Sequence, residues 1–130
     1  MSIDKSLRIL TWLAAGFGVF TLGLTIVFFG WWAMKERFIF GDDVYDPVRW
    51  MAPPVPEKPC ERGEMVLDVQ QRLLKPGMTR AQVTMLLGRP AWEDTGQLEY
   101  ELGVCAWVVH GLRLYFDQDG RLVRSVIAQH

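Results

Sequence analysis

Three sets of side chains in this 130-residue sequence are of types that can do chemistry: two histidines, two cysteines and a pair of glutamates at alternating positions. Imidazole can move a proton or hold a metal, thiols can pair or ligate, and two carboxylates can divide acid and base duties. Each use needs neighbours. His110 and His130 have no carboxylate or cysteine at a local spacing that suggests a site, so each reads as a surface residue or a hydrogen-bonded core residue. Glu99 and Glu101 alternate with Leu98, Tyr100 and Leu102, the pattern of a solvated strand face rather than an acid/base couple. Cys60 and Cys105 fall in neither a CxxC nor a zinc-ligand spacing and read as a structural disulfide or as two unrelated thiols. Pairing is expected if the domain is exported to an oxidising compartment. No nucleophile with its base, metal set or cofactor box can be assembled, so the expectation is a protein without catalysis, metal or cofactor.

Binding is the remaining chemistry. Trp50 and Trp92 are candidate interface anchors, with Trp92 read either so or as a core residue, while Trp107 is expected in the core. The net charge is −1, and lysine and arginine are scattered singly among aspartate and glutamate. No basic stripe points to nucleic acid.

The elements that must position these residues begin with an uncharged run, ILTWLAAGFGVFTLGLTIVFFGWWAM, from Ile9 to Met34. As a helix it reaches about 39 Å, more than the roughly 30 Å of a bilayer core. Trp12 near one end and Trp31 and Trp32 near the other fit interfacial aromatic belts. The run exceeds the apolar region of a cleaved signal, and Trp31-Trp32-Ala33 offers no small-x-small site. Cys60 follows Lys58-Pro59, which is not a lipidation box. The expectation is an uncleaved transmembrane anchor in contact with the lipid bilayer. Flanking charge leaves its orientation open, with Lys5 and Arg8 on one side and Lys35, Arg37 and Arg49 on the other. Gly16, Gly23 and Gly30 stand seven apart, nearly on one face, and form a candidate docking face for another membrane helix.

After a short tail at 1–8 and the helix at 9–34, residues 35–63 carry acidic residues and prolines and predict a semi-rigid extended spacer. Phe38, Phe40, Tyr45 and Trp50 within it suit a membrane interface or a partner surface. A globular domain is expected over 64–130. Val66, Val69 and Leu73 recur at helical spacing up to Pro76-Gly77. Thr79 and Gln82 then form a capping box, Val83, Leu86 and Leu87 an apolar face, and Gly88 a left-handed cap before Pro90. From Gln97 the period becomes two, first through Leu98, Tyr100 and Leu102 and then through Leu112, Leu114 and Phe116. Asp119-Gly120 signals a turn into LVRSVIA, and VCAWVVHG is either a further strand or a loop under the helices. The fold class is therefore α+β: one transmembrane helix, then a helical hairpin on three or four antiparallel strands, an ααβββ domain.

Pro76-Gly77-Met78-Thr79, Gln82-Val83, Leu86-Leu87-Gly88 and Pro90 resemble the PGMT-x-x-QV-x-x-LLG-x-P signature of the SmpA/OmlA (BamE-like) domain. Leu114, Phe116-Asp117, Gly120 and Leu122 resemble the final hairpin of that family, so the similarity runs from about residue 66 to 127. The resemblance implies an ααβββ binding module at a periplasmic membrane surface. A transmembrane helix stands where the family carries a lipidated cysteine. The matched positions are turn, cap and core residues, so no contact residues carry over.

The function expected is a non-catalytic, membrane-anchored periplasmic scaffold, an accessory subunit of a respiratory, transport or envelope-assembly complex in the inner membrane. Its N-terminus would be cytoplasmic, and its partners would be other subunits, met through the helix and the domain. The alternative is an inhibitor or immunity-type protein that caps an enzyme with the same domain.

Overall fold

A computed structural model describes residues 2–130. The chain divides into two compact units, Met1–Lys35 and Glu36–His130. The first belongs to helix α1, Ser2–Phe40, which is continuous through the uncharged run. Its mean hydropathy reaches 2.0 and none of that apolar stretch is buried, so one helix is long and apolar enough to cross a membrane. Thr11, Thr21 and Thr25 lie within it, and each hydroxyl donates to the carbonyl four residues back at 2.8–2.9 Å. The apolar surface therefore exposes no unsatisfied hydroxyl donor at these positions.

The second unit begins earlier than the sequence pattern indicates. α1 stops at Gly41, whose φ of +65° suits a residue without Cβ and whose N–H donates to the Arg37 carbonyl at 3.1 Å. Phe40 is already in the core. Asp46 then caps a short helix, α2 (Pro47–Met51), by accepting from the Val48 N–H at 2.9 Å, and Pro47 sits where a helix needs no donor. α2 delivers Trp50 into the centre of the unit at 0% exposure, with its indole N–H donating to the Leu87 carbonyl at 2.9 Å. Residues 35–63 are thus no extended spacer, and Trp50 is a core residue rather than an interface anchor. Prolines had suggested extension, but Asp-Pro is also a helix start, and burying a tryptophan outweighs the stiffness of the flanking chain.

α3 (Glu61–Asp68) starts at Glu61 rather than near Glu64 and runs on as a π-helical turn, Val69–Leu73. It buries Met65, Val66, Leu67 and Val69. α4 (Arg80–Leu87) opens on the expected capping box: the Gln82 N–H donates to Thr79 Oγ1 at 3.2 Å, and the Thr79 N–H donates to Gln82 Oε1 at 2.9 Å. Gly88 ends it with φ +81° and ψ −157°, a glycine conformation different from the left-handed helical cap expected.

Four antiparallel strands follow in the order β1 (Trp92–Glu93), β2 (Gln97–Cys105), β3 (Val108–Phe116) and β4 (Leu122–Gln129). The alternation places Leu98, Tyr100, Leu102, Leu112, Leu114 and Phe116 on the buried face. VCAWVVHG is the end of β2, the turn Ala106-Trp107 and the start of β3. Trp107, expected in the core, is 97% exposed. The reason is register: Cys105 pairs with Val108, which leaves Trp107 within the turn itself. The Cys60–Cys105 disulfide joins the residue before α3 to the end of β2, with Cα atoms 5.0 Å apart.

Candidate docking groove

A hollow of about 510 Å³ lies between the proline segment after α2 and the outer edge of β2. Pro53, Pro54 and Val55 supply an apolar side, and Glu101, Leu102 and Gly103 supply the strand edge. This edge is open because β1 is two residues long and pairs only with Leu98 and Glu99. Gly103 is required there: its φ is +100°, and a Cβ would collide with the Pro59 carbonyl that accepts the Val104 N–H at 2.8 Å.

Four cations line the hollow, in two different states. Arg49 is neutralised, pairing with Asp43 at 3.0 Å, with Glu64 at 3.2 Å and with Glu61. Those bonds, led by the one to Glu61, hold its guanidinium more firmly charged. Lys58 stands 3.9 Å from Glu61. Arg62 and Arg89 make no ion pair among the described residues. Arg62 donates to the Trp50 carbonyl at 2.8 Å and to the Glu101 carbonyl at 3.3 Å, and its guanidinium carbon lies 5.1 Å from the centre of the Trp50 ring. Burial pushes its pKa down, and the Glu101 charge pushes back. A half-buried cation held by carbonyls retains unspent attraction for an anion.

On the strands, Glu99 and Glu101 have separate fates. Glu99 is mostly buried and accepts from Arg113 Nη2 at 3.0 Å and Nε at 3.2 Å, with His130 Nε2 on its other oxygen. Arg113 faces Glu99 directly across the β2–β3 pair. The cluster ties two strands to the last residue. Glu101 is exposed, and so it alone of the pair fits the solvated face expected for both. A smaller hollow of about 200 Å³ touches Trp92, Glu99, Glu101 and His130, and no serine, threonine or cysteine lines it. Trp92 is 50% exposed there and remains a candidate anchor. His110 is a buried, hydrogen-bonded residue, its Nδ1 2.8 Å from the Val108 carbonyl and its ring edge-on to Phe40.

No group of three histidine, cysteine or acidic side chains is placed to hold a metal among the described residues. Gly16, Gly23 and Gly30 lie in one continuous helix with open space where each Cβ would stand. Arg62, Arg89 and Arg113 escaped the sequence reading, since nothing in local spacing separates them from solvated arginines. Only the residue opposite Glu99 was open to inference, and that required the strand register. No protein-family model matches the chain, and no curated protein sequence does.

Proposed function

We propose that this chain is a non-catalytic, membrane-anchored interaction protein, an accessory subunit of an inner-membrane complex. Its N-terminus lies in the cytoplasm and the unit from Glu36 in the periplasm. The observation that carries this reading is the coupling of an apolar helix with no buried residue in its apolar stretch to a unit with a hollow that presents unpaired arginines beside an open strand edge. The helix needs lipid or other helices around it, and the groove needs an anionic extended segment. Strand addition along β2, with a carboxylate at Arg62 and Arg89, satisfies both kinds of group.

Further support comes from the Cys60–Cys105 bond, which belongs in an oxidising compartment. The resemblance to SmpA/OmlA domains points to the same place and to binding rather than catalysis. α3 and α4 followed by β2, β3 and β4 have the ααβββ order that the resemblance implies.

The test is purification of the full chain in gentle detergent with mass spectrometry of whatever accompanies it. A stoichiometric set of membrane subunits, depleted when the exposed Arg89 is replaced by Glu, is the expected outcome. Recovery of the chain alone, or of a soluble hydrolase bound in equal amount, overturns the subunit reading.

A further inference from the structure

We infer that the tip of the β2–β3 hairpin is a second membrane contact, with Trp107 seated in the lipid–water interface of the bilayer that the apolar helix crosses. The inference rests on the membrane-anchored reading but concerns a surface separate from the groove.

The turn is costly in two respects. Ala106 and Trp107 have φ of +50° and +64°, the left-handed region that two-residue hairpin turns normally fill with asparagine or glycine. Trp107 also shows water almost its whole surface, at 97% exposure, and lines neither hollow. A large aromatic in a strained position that packs on nothing gives no help to folding. Strain of this kind persists where a site uses it.

Its surroundings suit lipid. Val104 and Val109 are 41% and 40% exposed, and no residue from Gly103 to Val109 carries a charge. The base of the tip is stiff, since Cys105 is bonded to Cys60 and the Val104 N–H is held by the Pro59 carbonyl. The other end of the same strands is different: the β3–β4 turn exposes Asp117, Asp119 and Arg121. The sheet thus has an uncharged hairpin tip at one end and a charged turn at the other.

Within the unit, the end with the uncharged tip is also where the chain arrives. Phe40, the last residue of α1, packs edge-on against His110 with ring centroids 4.9 Å apart, and His110 is in the strand that leaves Trp107. The uncharged run ends at Met34, and a chain extends no more than about 3.6 Å per residue from there to Phe40. Covalent connection therefore keeps this end of the sheet within reach of the membrane. A protein partner would need a matching pocket for a lone projecting ring. The interfacial zone needs none, and tryptophan, with an apolar body and one N–H, is the residue that partitions there.

The full chain labelled with 5-fluorotryptophan, in phosphatidylcholine nanodiscs, tests this. Its fluorine resonances can be assigned by single Trp→Phe substitutions, and a nitroxide on the lipid headgroup then broadens rings near the interface. The Trp107 resonance should broaden several-fold more than that of Trp92, which is half-exposed but pairs opposite Glu99, away from the tip. Broadening no greater than that of Trp92 overturns the inference. Trp12, Trp31 and Trp32 report on the anchor: if they broaden and Trp107 does not, only the tip fails. If none of them broadens, the membrane reading fails and the tip inference with it.

Discussion

Asp68 shows how much a single side chain can decide in this molecule. Its carboxylate accepts from Arg72 Nε at 3.0 Å and Nη2 at 2.8 Å, and from the Tyr45 backbone N–H at 2.8 Å. The bonds to Arg72 first, and then the one to Tyr45, hold its pKa below the ordinary aspartate value of 3.8. A folded pKa below the unfolded one means that the unfolded chain takes up the proton first as pH falls. The stabilisation is fully present above the ordinary value and is lost as pH drops through the folded one. Asp68→Asn should therefore lower the melting temperature of the globular unit by a few degrees at pH 7, the scale of about 1 kcal/mol for a bond to a charged group. At a pH well below that ordinary value the gap to the unsubstituted chain should close. Thermal melts of the full chain in micelles, followed by near-ultraviolet circular dichroism at both pH values, check this. A gap independent of pH would mean that Asp68 acts through packing alone. Glu99 and Trp107 carry the same lesson in reverse, since residue type marked one as solvated and the other as core, and strand pairing reversed both.

At the scale of elements, the long apolar helix offers the cleanest experiment. Gly16, Gly23 and Gly30 share a face by their spacing, and Gly18 lies roughly 140° around the helix from Gly23 at about 100° per residue. Apart from the helix's own adjacent backbone, neither Gly23 nor Gly18 has an atom of this chain within 4 Å of its would-be Cβ, so leucine fits at both without a clash inside the chain. Any difference between the two substitutions must then come from what surrounds the helix. If small residues let a neighbouring helix approach, Gly23→Leu should cut co-purified partner several-fold, the scale of about 1 kcal/mol, while Gly18→Leu should retain it. Equal recovery would make the helix a tether and leave recognition to the unit from Glu36. The strands show a related economy. β1 is so short that it leaves most of the β2 edge open, and the bond between Val104 and Pro59 closes part of what remains. An open edge is a liability in a soluble domain and an asset in a docking module.

For the whole molecule, the apolar helix and the disulfide make one joint prediction. If the unit lies in the periplasm as proposed, alkaline phosphatase fused after His130 should be active, and Cys60 and Cys105 should resist alkylation when the chain is isolated with its thiols blocked at lysis. The bond closes a separation of 45 residues, worth about 4 kcal/mol in the loop-entropy model. Gly63 makes room for it, since a Cβ there would strike both sulfurs. An inactive phosphatase together with alkylated thiols would place the unit on the cytoplasmic side.

By itself the sequence determined much of what depends on neighbours along the chain, although not the Asp46 cap of α2, the start of α3 or the conformation of Gly88. The uncharged run, the capping box at Thr79 and Gln82, the alternation through Leu98, Tyr100 and Leu102 and the turn at Asp119-Gly120 are read from spacing alone, because helix and strand periods are local. The α+β class followed from them. Tertiary structure decided where non-local burial competes with local preference. A proline-rich stretch became part of the globular unit because Phe40 and Trp50 found a core to enter, and no periodicity in residues 35–63 announces that. Strand register left Trp107 in a turn, and cross-strand pairing gave Glu99 its partners. Arg62 became a half-buried cation because Trp50 lay beneath it. Each of these depends on which residues meet across long separations, a choice made by the packing of the whole unit rather than by any segment within it.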